Sequence, residues 1–151
     1  MRGAEARLVL APFDPYEDLR AFSAGRVEDG AVVSFVGLAR GGRSEAIEAL
    51  VLEHYPGLTE RSLAEIAEEG SRRFEISDVL VIHRAGRIAP GEAIVLAAAA
   101  APHRRAALEA VDYLMDRLKT DAAFWKREEG PSGARWIEPS EADRRARRRW
   151  D

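Results

Sequence analysis

The rhythm of apolar and polar positions changes several times along the chain, and each change marks an element. Residues 16–26 (YEDLRAFSAGR) read as a short helix, and Glu28-Asp29-Gly30 as a turn. Residues 31–38 (AVVSFVGL) form a β-branched apolar run typical of a strand, followed by Gly41 and Gly42 around a loop that carries Arg40. Residues 49–55 alternate, with Leu50, Leu52 and His54 against Val51, Glu53 and Tyr55, and predict a second strand. From Gly57 the period lengthens to that of a helix: Thr59 is the expected N-cap, and Leu63, Ile66, Ala67, Gly70 and Phe74 share one face.

Residues 79–83 predict a third strand closed by Gly86, and Pro90-Gly91 a turn. The alanine-rich stretch 94–100 is assigned to a fourth strand on its Ile-Val-Leu opening and the proline that follows, although alanine by itself favours helix. Pro102 opens the longest helix, with Ala107, Leu108, Val111, Leu114, Met115 and Leu118 as its apolar stripe. Residues 122–128 read as extended, Gly130 to Gly133 as a turn, and 135–138 as a short strand. Ser140 and Asp143 form a capping box for a last helix, 140–150, rich in arginine. Strands and helices mix without strict alternation, which predicts an α+β fold.

At 151 residues the chain is expected to be a single domain spanning 1–151, with no internal repeat and no linker. The longest apolar run, residues 93–101, is far shorter than the ~20 residues of a membrane span, and the polar opening resembles no secretory leader. A cytoplasmic globular domain without membrane contact is expected. The net charge of −3 gives no general footprint for nucleic acid.

Cysteine is absent, which excludes a disulfide framework, a zinc-thiolate site and a cysteine nucleophile or persulfide carrier. Any sulfur handled here must be delivered by another molecule. No metal is expected, since no close His/Asp/Glu ligand pattern occurs, and no cofactor. Asparagine and glutamine are also absent, pointing to heat adaptation or to a strongly biased genome.

Of 23 basic residues only Lys119 and Lys126 are lysine. Arginine is effectively always charged, whereas lysine loses its proton when desolvated and can then act as base or nucleophile. Chance survival of two surface lysines is the plain alternative. Lys126 follows Phe124-Trp125 and precedes Arg127, surroundings able to lower its proton affinity by desolvation and a neighbouring cation. His103, Arg104 and Arg105 stand at a helix N-terminus, where free N–H groups and the dipole favour an anion; surface arginines paired with nearby acids are the plain alternative. Arg40 sits on its glycine-flanked loop, where one guanidinium can fork onto a phosphate, an ordinary solvated loop arginine being the plainer reading of the residue alone. His54 and His83 read as structural histidines, and the arginine-rich tail as a solvated helix face.

Residues 29–40 (DGAVVSFVGLAR), 52–56 (LEHYP), 81–86 (VIHRAG), 102–104 (PHR), 118–120 (LKT) and 124–128 (FWKRE) resemble, in order and spacing, the large catalytic subunit of molybdopterin synthase. The resemblance runs from about residue 28 to Trp136. It implies an α/β hammerhead-type fold with an additional antiparallel β subdomain. It also implies an enzyme, a sulfurtransferase of molybdenum cofactor biosynthesis that converts cyclic pyranopterin monophosphate to molybdopterin. The implied sulfur donor is a thiocarboxylate on the C-terminal Gly-Gly of a small ubiquitin-like subunit. The implied assembly is a heterotetramer built on a central homodimer.

Carried over, Lys119 and Lys126 correspond to catalytic residues. Leu38, Ala39, Arg40, His103, Arg104, Arg127 and Glu128 correspond to substrate-binding residues, and Phe35 and Met115 to apolar pocket walls. The chain departs from the family pattern at Ala39 for the usual valine, at Ala100-Ala101 before the His-Arg pair, at Ala123 for a common proline, and in a short loop after Arg40. Two rival readings accompany it: a docking scaffold for a ubiquitin-like carrier without catalysis, and a phosphate-ester enzyme unrelated to sulfur.

Overall fold

The computed structural model describes residues 3–43 and 46–151. Eight strands, β1 (Gly3–Val9), β2 (Ala31–Leu38), β3 (Ala49–His54), β4 (Asp78–Arg84), β5 (Gly86–Ile88), β6 (Ala93–Ala101), β7 (Phe124–Gly130) and β8 (Gly133–Ile137), form two four-stranded sheets. Four helices accompany them: α1 (Pro15–Ser23), α2 (Leu58–Arg73), α3 (Arg104–Thr120) and α4 (Glu141–Arg148). The first sheet runs β1-β4-β6-β2, with β1 parallel to β4 and the other pairs antiparallel. The second runs β5-β3-β7-β8 and is antiparallel throughout. This is the α+β class that the pattern predicts.

The alanine stretch is strand β6, between β4 and β2 in the first sheet. Val95, Ala97, Ala99 and Ala101 face the main core under α2 and α3, whereas Leu96 and Ala98 face the smaller core under α1. A strand hydrogen-bonded on both edges and covered on both faces overrides alanine's helical preference. Its small side chains let both helix layers sit close. On α2, Leu63, Ile66, Ala67 and Gly70 are buried as their spacing predicts.

Four expectations need correction. Two strands, β1 and β5, have no counterpart in the sequence reading, which closed β4 at Gly86. The N-cap of α2 is Gly57, whose φ of 86° suits glycine, with the Glu60 carboxylate accepting from its N–H at 3.2 Å. Thr59 is instead buried inside the first turn, where its hydroxyl accepts from Tyr55 N at 2.8 Å and donates to the Ala123 carbonyl at 2.6 Å. Leu108, expected in the core stripe of α3, is 53% exposed.

The arginine tail is not simply a solvated face, because α3 offers acids to it. Arg149 donates to Asp116 at 2.7 Å and Arg147 to Asp121 at 2.9 Å. The predicted capping box is present, Ser140 and Asp143 exchanging hydrogen bonds of 3.0 Å. Trp150 donates its indole N–H to Asp116 at 2.7 Å and meets Phe74 and Tyr113 edge-on, with ring centroids 5.8 and 5.4 Å away. Trp150→Ala removes this aromatic anchor and is expected to cost about 2 kcal/mol. That corresponds to a fall in melting temperature of roughly 4–8 °C for a chain of this size. Thermal unfolding followed by circular dichroism checks it, and a change of less than about 1 °C would show that the tail is not fastened there.

Candidate active site

Strand alternation decides which side chains of β7 meet the body of the protein. Phe124 packs on the small core of Ala39, Leu50, Leu52 and Ile88. Lys126 and Glu128, two and four residues on, point the same way. Trp125 and Arg127 take the opposite face. There Arg127 pairs with Glu53 and with Glu129, the latter at 3.3 Å, and its guanidinium lies over the Trp136 ring. The cations that act on Lys126 are therefore Lys119 and Arg40, and the adjacent Arg127 is not among them.

Lys119 lies in the last turn of α3, where a cation suits the helix dipole. Lys126 is half-buried. Loss of hydration lowers its proton affinity most, repulsion from Lys119 and Arg40 lowers it further, and Glu128 and Asp143 oppose the trend. Three distant pieces of sequence thus converge on one lysine: the loop after β2, the end of α3 and the strand β7.

Arg40 itself is exposed, but the backbone before it is fixed. Ala39 is buried, its N–H donates to the Glu92 carbonyl at 2.9 Å and its carbonyl accepts from Gly91 N at 2.8 Å. The Glu92 carboxylate is held by Arg84 at 3.0 Å and by Ala89 N at 2.8 Å. Leu38 is 53% exposed beside this clamp. Phe35 shares the helix-covered face of β2 with Ala31 and Val33 and stays partly exposed, while Met115 packs at the margin of the main core.

His103 and Arg104 are exposed at the opposite end of α3, His103 being its N-cap. The helix is continuous from Arg104 to Thr120, so 16 residues (119 − 103) place His103 roughly 24 Å from Lys119 along the axis. One chain does not bring these two groups together. Two clefts lie away from the lysines: one beside α1, where Arg26 is paired with Asp29 and Asp78, and a smaller one lined by Tyr55, Trp125 and Trp136.

His83 is the residue whose setting the sequence reading missed. It is buried, stacked on Phe124 with ring centroids 4.4 Å apart, and its Nδ1 lies 3.0 Å from the Arg84 carbonyl. Burial, reinforced by repulsion from Lys119 and Lys126, lowers its pKa to about 4. Its place inside β4, paired with Leu8 of β1 and Val95 of β6, gave no local signal of this neighbourhood. His54 is half-buried opposite Phe124 in the β3–β7 register. Among the described residues no group of three or more His, Cys, Asp or Glu gathers as a metal site, and no helix is long and apolar enough to cross a membrane.

A half-buried lysine with lowered proton affinity, on which a second lysine and an arginine act, stands on a two-sheet α+β frame and forms a candidate site of basic side chains. The comparisons give the particular family. The model described as MoaE protein matches residues 8–121. The molybdopterin synthase catalytic subunit of Caulobacter vibrioides is 56% identical over 140 residues, covering 93% of each chain. That of Escherichia coli is 46% identical over 150 residues, covering 97% of this chain and 99% of the relative. The solved molybdopterin biosynthesis MoaE protein of Burkholderia ambifaria superposes with a TM-score of 0.81 at 40% identity, covering 97% of each chain.

The chain belongs to the molybdopterin synthase catalytic subunit (MoaE) family. It is an enzyme, and its activity is a sulfur-transfer step of molybdenum cofactor biosynthesis. The relatives are named as catalytic subunits, which favours this over the docking-scaffold and phosphate-ester readings.

Proposed function

We propose that Lys119 and Lys126 carry the sulfur transfer, in a site completed by a second copy of the chain. The substrate is a cyclic pyranopterin monophosphate. The donor is the thiocarboxylated C-terminal Gly-Gly of a small ubiquitin-like subunit. The observation that carries the reading is the convergence on Lys126 of Lys119 and Arg40, in a chain that has no other lysine. The absence of cysteine agrees with sulfur that arrives on a partner.

The chemistry follows from the charges. Each thiocarboxylate delivers one sulfur and is left as a carboxylate, so a dithiolene consumes two donor tails. Arg40, with His103 and Arg104, neutralises the phosphate as its cyclic ester opens. Lys119 polarises the thiocarboxylate or protonates the departing oxygen, and Lys126 exchanges a proton more readily than an ordinary lysine. Glu128 stands on the lysine face as their counter-charge, with Leu38, Ala39, Phe35 and Met115 as apolar walls. Arg127, on the other face of β7, serves by bracing that strand against Glu53 and Glu129.

A two-fold dimer brings the N-terminal end of one α3 to the C-terminal end of the other. Exposed Phe35, Leu38 and Leu108 around the outer edge of β2 supply apolar surface for such a contact. Incubation of the purified chain with the thiocarboxylated small subunit and the cyclic pterin is expected to yield dithiolene product. A donor lacking its terminal glycine is expected to give none. Equal turnover with free sulfide would overturn the partner-borne route.

A further inference from the structure

His83 stands at the junction of the two sheets. It belongs to β4 of the first, yet its ring lies on Phe124 of β7 in the second, the ring planes inclined by 27°. Phe124 packs against both the main core and the small core under the second sheet, so this stack fastens one sheet to the other. Lys126 follows two positions later on the same face of β7, about 7 Å along the strand.

The ring is held from its other side as well. A carbonyl oxygen only accepts, so the contact between Nδ1 and the Arg84 carbonyl puts the ring proton on Nδ1 and leaves Nε2 with the lone pair. Arg84 cannot drift, because its buried guanidinium donates to Glu92 at 3.0 Å and to the Arg87 carbonyl at 2.9 Å.

We propose that His83 is a positioning residue for the reaction: an uncharged ring, clamped between the Arg84 carbonyl and the Phe124 face, that fixes β7 at Lys126 and keeps water from that lysine's ammonium group. The inference deepens the function proposed above and rests on Lys126 being a working residue.

The charged surroundings agree. The cations acting on His83 are Lys119 from α3 and Lys126 from β7. Lys126 itself faces Lys119, Arg40 from the loop after β2, Glu128 on its own strand and Asp143 at the start of α4. With its pKa near 4 the imidazole stays neutral at neutral pH, and so adds no third positive charge between the lysines. A small side chain at this position would open a hole beside Lys126 that water can fill, rehydrating the ammonium and raising its proton affinity. A flat apolar ring of similar size would keep the wall.

The chain's own composition provides the test. Selective carbon labelling of lysine Cε yields two side-chain signals, because Lys119 and Lys126 are the only lysines, and Lys119→Arg assigns them. His83→Ala is expected to raise the titration midpoint of Lys126 by about one pH unit and to move the matching limb of the kcat profile to higher pH. At neutral pH kcat should fall about tenfold, with KM for the pterin within about twofold. His83→Phe should keep the midpoint and stay within about threefold of the parent kcat. Where His83→Ala does not fold, His83→Leu, lacking the flat face, should move the midpoint in the same direction.

An unchanged Lys126 midpoint in the alanine or leucine variant overturns the inference. So does a His83→Phe variant as impaired as His83→Ala, which would make the ring nitrogens the working part. The titration is read without turnover. A shifted midpoint in a chain inert toward thiocarboxylate and pterin would therefore sink the proposed function and leave standing only the shielding of Lys126 by His83.

Discussion

Lys119→Arg and Lys126→Arg are each expected to lower kcat by about 100-fold or more while the chain remains folded. Both substitutions keep the positive charge and differ chiefly in whether the group can give up its proton. Lys126 has its proton affinity depressed by lost hydration and by Lys119, so it gives up its proton more readily than an ordinary lysine. A guanidinium in its place stays protonated throughout. Its planar fork also places its donors differently from a single ammonium. For Lys119, exposed on the last turn of α3, arginine is tolerated by the helix and the loss should be chemical alone. The measurements are single-turnover formation of dithiolene and thermal unfolding of each variant. Turnover within about threefold of the parent in both would remove the lysines from the chemistry and leave them as electrostatic anchors.

Mixing inactive variants is the second large effect. Lys119→Ala and His103→Ala homodimers are each expected to be nearly inactive, since every site in them lacks one end of an α3. In a heterodimer one site carries both defects and the other carries none. Free exchange at equal concentrations makes half the dimers mixed, and half of their sites intact, so recovery should approach about a quarter of the parent activity. The geometry behind this is the unbroken helix: its ends are roughly 24 Å apart, more than a compact pterin spans. Subunit exchange must be shown separately, by mixed mass or fluorescence pairing. Proven exchange without recovery would mean that His103 and Lys119 do not serve one site.

Much of the frame and part of the site were legible along the chain. The strands β2 and β3, the apolar faces of α2 and α3 and the Ser140–Asp143 capping box arise from neighbours a few residues apart, and periodicity records such relations directly. The two lysines stand out because every other Lys/Arg position is arginine, and the helical period from Pro102 to Lys119 itself sets the distance between the ends of α3.

What escaped depends on residues far away in sequence. The strand β1, in which Ala4 and Ala6 alternate with charged Glu5 and Arg7, exists because β4 offers it a parallel edge some 75 residues later, where Gly3 meets Asp78. The alanine run is a strand because β4 and β2 pair with it and helices cover it. Leu108 carries the right spacing for the core yet lies outside it, and the tail arginines find Asp116 and Asp121 only once α4 folds back onto α3. His83 looked like any strand histidine, and its meaning comes from Phe124 and Lys126 across the gap between two sheets. The sequence by itself determined local periodicity, caps and the chemical inventory, since these are written in spacing. The tertiary structure decided which face of β7 each residue takes, which cations crowd Lys126 and what shields it, because desolvation and Coulomb repulsion depend on who stands opposite in space.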